Sequence, residues 1–357
     1  MKRVLSLLVG VLLAGSLAAE EHIVETETHR FEEVADGVYF VSGTGAMVTR
    51  SNAMVVVTEE DVLVVDSHIT PAAARALIAG IEQITDKPIR TLVNTHFHYD
   101  HSHGNQAFGP EVRVVGHEYT RQKMATAPLE EHTFKGSSER DRQALEELRA
   151  ALETASDEER EALETQISIQ AAHVESTAEI NPVPPDTTLA EKMTFFSGGR
   201  EIQLHFLGRA HTGGDVVAFL PAERLVFTGD MMLGGPPWPG DGWVNEWPAT
   251  LERLKHLDFD LILPGHGPYF RDLELIDQVQ AFHRELWELV STLHAEGVSA
   301  EDAVERIDLS HHAENLPPAR VRVDLRGVQR MYMVLEGTAE EELAPRDVAQ
   351  QVCGESS

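Results

Sequence analysis

The sequence predicts an α/β domain. Three observations carry that. Short apolar runs of strand length recur from residue 37 to residue 263, helical patterns lie between and after them, and several runs end on a histidine or an aspartate.

The chain opens with Lys2 and Arg3, then an apolar stretch over residues 4–13, then Ser16-Leu17-Ala18, a small-x-small cleavage pattern. This predicts an export signal over residues 1–18 and a periplasmic or secreted product. The apolar stretch is shorter than the ~20 residues of a membrane span, so no membrane anchor is expected. The single cysteine, Cys353, lies in a polar tail and cannot form an internal disulfide.

The main domain is expected over residues 19–300. Strands are predicted at 37–41, 53–57 and 62–65, the last ending on Asp66, with Glu59-Glu60-Asp61 as the hairpin turn. Thr70 caps a helix with Pro71 at its first position, and Leu77, Ile78, Ile81 and Ile84 mark its buried face. Lys87-Pro88 breaks that helix. The strand at 89–93 then leads into Thr95-His96-Phe97-His98-Tyr99-Asp100-His101, and another strand follows at 112–115.

Residues 118–188 change character and read as an insertion. Leu145, Leu148 and Leu152 give helical spacing over 138–155. Ser156 to Glu159 forms a capping box for a second helix with Leu163, Ile167 and Val174 on one face. This helical hairpin is a spacer, a lid or a dimer contact; the last would make the protein a homo-oligomer.

Strands resume at 193–196 and 201–206. His211 follows in the glycine-flanked loop 208–215. The strand at 216–220 comes next, then 225–227, which delivers Thr228-Gly229-Asp230. The strand at 261–263 ends in Pro264-Gly265-His266-Gly267. Helices are expected over 273–294 and 324–336. Residues 301–357 form a C-terminal helical extension and polar tail.

The chemistry starts at the histidine cluster. His96 and His98 are two apart and would face one side of an extended strand end. Asp100 and His101 fall where the chain turns, so one segment can serve two neighbouring metal ions. Imidazole and carboxylate donors suit zinc, and also iron or manganese. His211, Asp230 and His266 each sit in a loop with glycine beside them, which permits sharp turns and close approach. Together they make the seven donors that two metals need around a shared water.

The order His96-x-His98-x-Asp100-His101, then His211, Asp230 and His266, resembles the metallo-β-lactamase fold superfamily, in its glyoxalase II-like dinuclear branch. The resemblance implies an αββα sandwich with the site at one edge of two sheets. It implies that His96, His98 and His211 hold a first Zn2+, that Asp100, His101 and His266 hold a second, and that Asp230 bridges them. Asp66 matches the family's supporting acidic residue, or only caps the turn before Thr70. The implied activity is hydrolysis of an ester, thioester, lactone or amide by a hydroxide shared between the metals, with Asp100 orienting it.

Rival readings stay open. One is a metallo-β-lactamase acting on β-lactams, although such enzymes usually carry Cys or Ser where Asp230 falls. Others are a mononuclear iron dioxygenase of the persulfide type and a metal-binding module without catalysis. The substrate is expected to be a small molecule. Tyr99, Trp238 and Trp243 are candidates for its apolar wall, or they pack their loops; Trp247 is expected to pack. His68 and His103 are expected to be solvated loop histidines, or else extra polar contacts near the metals. Finally, 29 Lys and Arg against 59 Asp and Glu give a net charge of −30, which disfavours nucleic acid and anionic membrane as partners.

Overall fold

The computed structural model describes residues 22–339, so the predicted export signal, the polar tail and Cys353 lie outside the described residues. Two sheets form the centre. The first has eight strands in sequential order: β1 (Ile23–Glu25), β2 (His29–Ala35), β3 (Val38–Gly43), β4 (Ala53–Val57), β5 (Val62–Val65), β6 (Ile89–Val93), β7 (Arg113–His117) and β8 (Thr187–Leu189). The second has five strands in reverse order: β13 (Leu261–Pro264), β12 (Leu225–Gly229), β11 (Val216–Leu220), β10 (Arg200–Phe206) and β9 (Lys192–Ser197).

The layering follows from period-2 alternation. On one face of the first sheet, Val38, Phe40, Met54, Val56, Leu63 and Val65 meet Ile202, Leu204, Val216, Ala218 and Phe227 of the second. Their sequence neighbours Tyr39, Val41, Val55 and Val64 point the other way, onto Ala74, Leu77 and Ile81 of helix α1 (Pro71–Ile81). The Thr70 hydroxyl caps α1 by accepting from the Ala73 amide, with Pro71 at the first position, as the sequence predicts. On the far side of the second sheet, Val217, Phe219, Val226 and Ile262 pack against a C-terminal helical layer. The result is helix, sheet, sheet, helix: the αββα sandwich. Strands buried on both faces explain the near-continuous apolar runs. Truncating Leu77 to Ala would remove about 2–5 kcal/mol of stability.

The first sheet is interrupted by α2 (Tyr99–Ser102), α3 (Glu118–Ala125) and the helical hairpin of α4 (His132–Thr154) and α5 (Asp157–Thr177). The capping box at Ser156 and Glu159 forms as read from the sequence. Two boundaries differ. Helix α4 starts at His132, upstream of the expected residue 138, because Gly136 is carried within the helix and does not stop it. Thr187–Leu189, which falls at the end of the expected insertion, pairs parallel with β7 and completes the first sheet. The C-terminal layer comprises α6 (Trp247–Leu254), α7 (Glu274–Ala295), α8 (Ala300–Arg306) and α9 (Leu325–Glu336). Among the described residues no helix is long and apolar enough to cross a membrane.

Candidate metal centre

The site lies where strands of both sheets end. Strand β5 stops at Asp66, which has a left-handed backbone (φ 65°) and is wholly buried. Its carboxylate accepts from the Thr95 amide at 2.8 Å, the Thr95 hydroxyl at 2.9 Å and His101 Nδ1 at 2.8 Å. Strand β6 stops at Val93, and His98 caps α2, so Asp100 and His101 lie on a helical turn. In the second sheet, His211 sits in the loop between β10 and β11. Asp215 fixes that loop by accepting from the Thr212 amide and hydroxyl at 2.9 and 2.7 Å. Burial pushes the Asp215 carboxyl up to about 6. Asp230 follows β12, and His266 follows β13.

Asn52 ties the two sheets together at this edge. Its amide donates to the Gly265 carbonyl at 2.7 Å, and its side chain donates to the carbonyls of Pro264 and Gly267 at 3.0 and 2.8 Å. Gly265 must be glycine for a local reason. A Cβ there would press on Asp230 Oδ1 and lie 2.8 Å from His101 Cε1.

The histidine tautomers follow from the outer hydrogen bonds. Carbonyls accept from His211 Nδ1 (Trp238, 3.0 Å) and from His266 Nδ1 (Arg50, 3.0 Å). The Thr95 hydroxyl gives its proton to Asp66, so at 2.9 Å it accepts from His96 Nδ1. His98 turns the other nitrogen outward, with Nε2 3.0 Å from Asp241 Oδ2. The remaining nitrogens face inward and face one another: His98 Nδ1 to His211 Nε2 at 3.0 Å, and His101 Nε2 to His266 Nε2 at 3.2 Å. His96 Nε2 and Asp230 Oδ1 are buried and make no hydrogen bond.

Such a set fits cations and little else. Donor atoms of His96, His98 and His211 lie within 4.8 Å of one another, and so do those of Asp100, His101 and His266 and those of His96, His101 and Asp230. Asp230 stands between the first two groups: its Oδ2 is 3.7 Å from His211 Nε2 and 3.2 Å from His266 Nε2. Burial pushes His96 well below the ordinary histidine range and His211 down to about 3, so both offer lone pairs at neutral pH. Burial also acts to lower His266, yet Asp230 and Asp100 drive it well up. These carboxylates call for positive charge between them.

A cavity of about 490 Å³ opens over the centre. Its floor is His98, Asp100, His211 and Asp230; its sides are Tyr99, Trp238, His132, Thr133 and Arg140 of α4, and Asp324 and Arg326 at the start of α9. Burial and the neighbouring Asp100 push the Tyr99 phenol up to about 12, so it keeps its proton. Trp238 donates through Nε1 to Asp324 at 2.8 Å.

Three expectations need correction. Trp243 is 3% exposed and lies outside the cavity lining; the Arg209 guanidinium stacks 3.4 Å over its ring, with Arg330 at 4.9 Å, so it packs its loop. His68 and His103 are buried, not solvated. His68 Nε2 is 3.1 Å from His29 Nε2, and His103 packs edge-on to Phe134 at 4.9 Å. Trp247 packs as expected, wholly buried in the C-terminal core. Sequence reasoning passed over Asp241, Arg50 and the cavity residues of α4 and α9. Nothing in their local pattern marks them; only Thr95, adjacent to His96, had a positional signal.

A profile of the metallo-beta-lactamase superfamily matches residues 46–266. A linear primary-alkylsulfatase of Pseudomonas sp. (strain ATCC 19151) is 24% identical over 278 residues, covering 72% of this chain and 50% of that protein. The 2,4-dinitroanisole O-demethylase subunit alpha of Nocardioides sp. (strain JS1661) is 25% identical over 210 residues, covering 57% and 49%. The chain thus spans about half the length of these curated relatives. Among solved structures, the stereoselective inverting sec-alkylsulfatase Pisa1 from Pseudomonas sp. shares the fold, with a TM-score of 0.61 at 14% identity over 91% of this chain and 54% of that one. The profile match covers more than half of the chain and coincides with the sandwich and its His and Asp clusters, and the chain belongs to the metallo-beta-lactamase superfamily of hydrolases.

Proposed function

We propose that the protein is an exported dinuclear zinc hydrolase of small esters. His96, His98 and His211 would hold one ion, Asp100, His101 and His266 the other, with Asp230 shared. The observation that carries this reading is the position of Asp230, whose oxygens reach toward donors of both groups. When bound, two zinc ions supply Lewis acidity for the ester oxygen and an acidified water as nucleophile at neutral pH.

The chain's own residues do the rest. Asp66, held by three donors, fixes the His101 ring, and Asp241 fixes His98 in the same way. Asp100 is held well below the usual carboxylate range by His101 and His266, which override its burial. It is therefore ionised, which suits it to hold the second ion and to orient the attacking water by accepting a hydrogen bond from it. Trp238 and Tyr99 exclude water from one side of the cavity. Arg140 suits an ester that carries negative charge; Arg326, which also lines the cavity, is paired with Asp241 at 3.3 Å. The alkylsulfatase among the relatives makes an alkyl sulfate the first such ester to test.

A shared Asp230 carboxylate would donate to both ions and weaken their pull on a poor amine leaving group. Esters and thioesters are therefore expected to exceed β-lactams by about tenfold or more in kcat/KM, ~1.4 kcal/mol of barrier. The test is metal analysis of the purified protein with kinetics on an alkyl sulfate, an aryl ester, a thioester and a penicillin. Two zinc per chain and ester turnover support the reading. One iron per chain would overturn it in favour of oxygenase chemistry, and a penicillin turned over faster than every ester would overturn the substrate class.

A further inference from the structure

We propose that Glu285, His311 and His312 form a separate binding site for one divalent transition-metal ion, zinc above all, which clips the C-terminal segment to α7. The site is independent of the catalytic reading, and none of its residues lines the cavity.

The geometry comes from two elements. Glu285 lies on α7, one turn after Phe282. His311 and His312 are consecutive in a 3-10 turn over Ser310–Glu314. Both imidazoles aim the same nitrogen at the same oxygen: His311 Nε2 is 3.0 Å and His312 Nε2 2.9 Å from Glu285 Oε2. One ligand atom from each residue lies within 4.8 Å of the other two.

The arrangement is held from behind. The His312 amide donates to the Leu309 carbonyl at 3.0 Å, and its own carbonyl accepts from the amides of Asn315 and Leu316 at 3.1 and 2.9 Å. Leu309 and Leu316, on either side of the turn, are buried in the C-terminal core. The Phe282 ring meets His312 edge-on at 5.4 Å. The His312 side chain is 13% exposed and that of His311 58%, so one donor is anchored and the other opens to water.

Two imidazoles and a carboxylate are donors of the kind zinc takes, and solvent can complete the shell. Tetrahedral zinc with bonds of ~2.0–2.1 Å sets its ligand atoms ~3.3 Å apart. Each imidazole nitrogen therefore has to move only a few tenths of an ångström from the carboxylate oxygen. The same compaction is present in the candidate metal centre, where inward nitrogens sit 3.0 and 3.2 Å apart. With three protein donors and one open to solvent, this site should bind more weakly than the centre with seven. Because it joins α7 to a turn of the C-terminal extension, occupancy should stabilise that layer.

The test uses the full-length protein stripped with a chelator and dialysed against zinc chloride. The His311→Ala/His312→Ala variant should bind one zinc fewer per chain than wild type, whatever the wild-type total, and should keep its hydrolytic rate within twofold. Zinc should raise the melting temperature of wild type more than that of the variant. Glu285→Gln, which keeps an oxygen for both imidazoles but removes the charge, should weaken the same ion at least tenfold, so the outcome does not depend on one variant folding. Equal zinc content in wild type and both variants, or zinc-edge anomalous scattering that finds no ion between the three side chains at millimolar zinc, overturns the proposal. Failure of the dinuclear reading would instead change the total that all three proteins share.

Discussion

The floor of the cavity is made mostly where strands end and its wall mostly from helices, and the two hold their side chains differently. On the floor and directly behind it, His98, His211, His96 and His101 are almost wholly buried, and each has its outer nitrogen committed to an oxygen. On the wall, His132 and Arg140 are exposed and stand on α4, which buries only Ser137, Asp141 and Leu145. A floor of this kind keeps donor atoms in place through the core of two sheets. A wall of this kind can be changed without disturbing that core. On the proposed function, the division would give chemistry to the sheets and substrate choice to the helices.

The sharpest way to break that assignment is Asp230→Ala. It should lower kcat/KM by about 10³-fold, ~4 kcal/mol, and reduce bound zinc while circular dichroism stays unchanged. Full zinc occupancy in the variant would remove Asp230 from its shared position. The next effect is on acid stability and lies beneath the floor. Burial holds His29 down at about 4, against 6.5 unfolded, and also holds His68 well below its ordinary value. The unfolded chain therefore binds more protons below pH 6.5, and stability is lost as pH falls from 6.5 to about 4, by roughly 3 kcal/mol for His29. Urea unfolding of zinc-free protein across that range should show a shallower pH slope in His29→Gln than in wild type.

The wall is tested by replacing residues 134–181 with a Gly/Ser linker. The shortened chain should fold and keep its zinc, yet lose about 30-fold in kcat/KM, ~2 kcal/mol, as Arg140 is removed and Tyr99 loses its contact with Phe134. Loss of zinc would show that the wall supports the floor after all. A halved mass in solution would make the hairpin a dimer contact. The smallest effect is expected from Asp141→Ala. Asp141 binds the Arg50 side chain and His173 Nε2, and the Arg50 carbonyl holds His266. The variant should lose a fewfold in kcat/KM, about 1 kcal/mol, with zinc content intact by metal analysis.

Much of the floor was legible in the sequence, because strands buried on both faces leave long apolar runs and the loops after them carry His and Asp between glycines. Leu261 to Leu263 followed by Gly265-His266-Gly267 is such a case, while Val62 to Val65 delivers Asp66 with no glycine beside it. The wall was not legible. His132 and Arg140 look like any residues of a charged helix, and their place over the metal centre depends on how the hairpin docks. The burial of His68 and His103 also escaped, since a loop histidine carries no sign of the partner, His29 or Phe134, that the fold brings to it. Trp243 misled because aromatic residues after Asp230 suit a substrate wall as well as a packed loop, and the Arg209 stack that decides between them is not local. The three-residue strand at Thr187 is too short to alternate visibly.

One feature of the seam between the sheets has a mechanical meaning. His96, His98, Asp100 and His101 hang from the first sheet, His211, Asp230 and His266 from the second, and Asn52 is the hydrogen-bonded tie beside them. Ions held by donors from both halves would act as rivets through the sandwich. On the proposed function assembly would have an order: the halves must dock before either ion finds its full set of donors, so full zinc occupancy during refolding would follow docking. Withdrawal runs in reverse. A chain starved of zinc should gap first along this edge, admitting hydrogen exchange at the ends of β6 and β12 while the middle of both sheets stays closed.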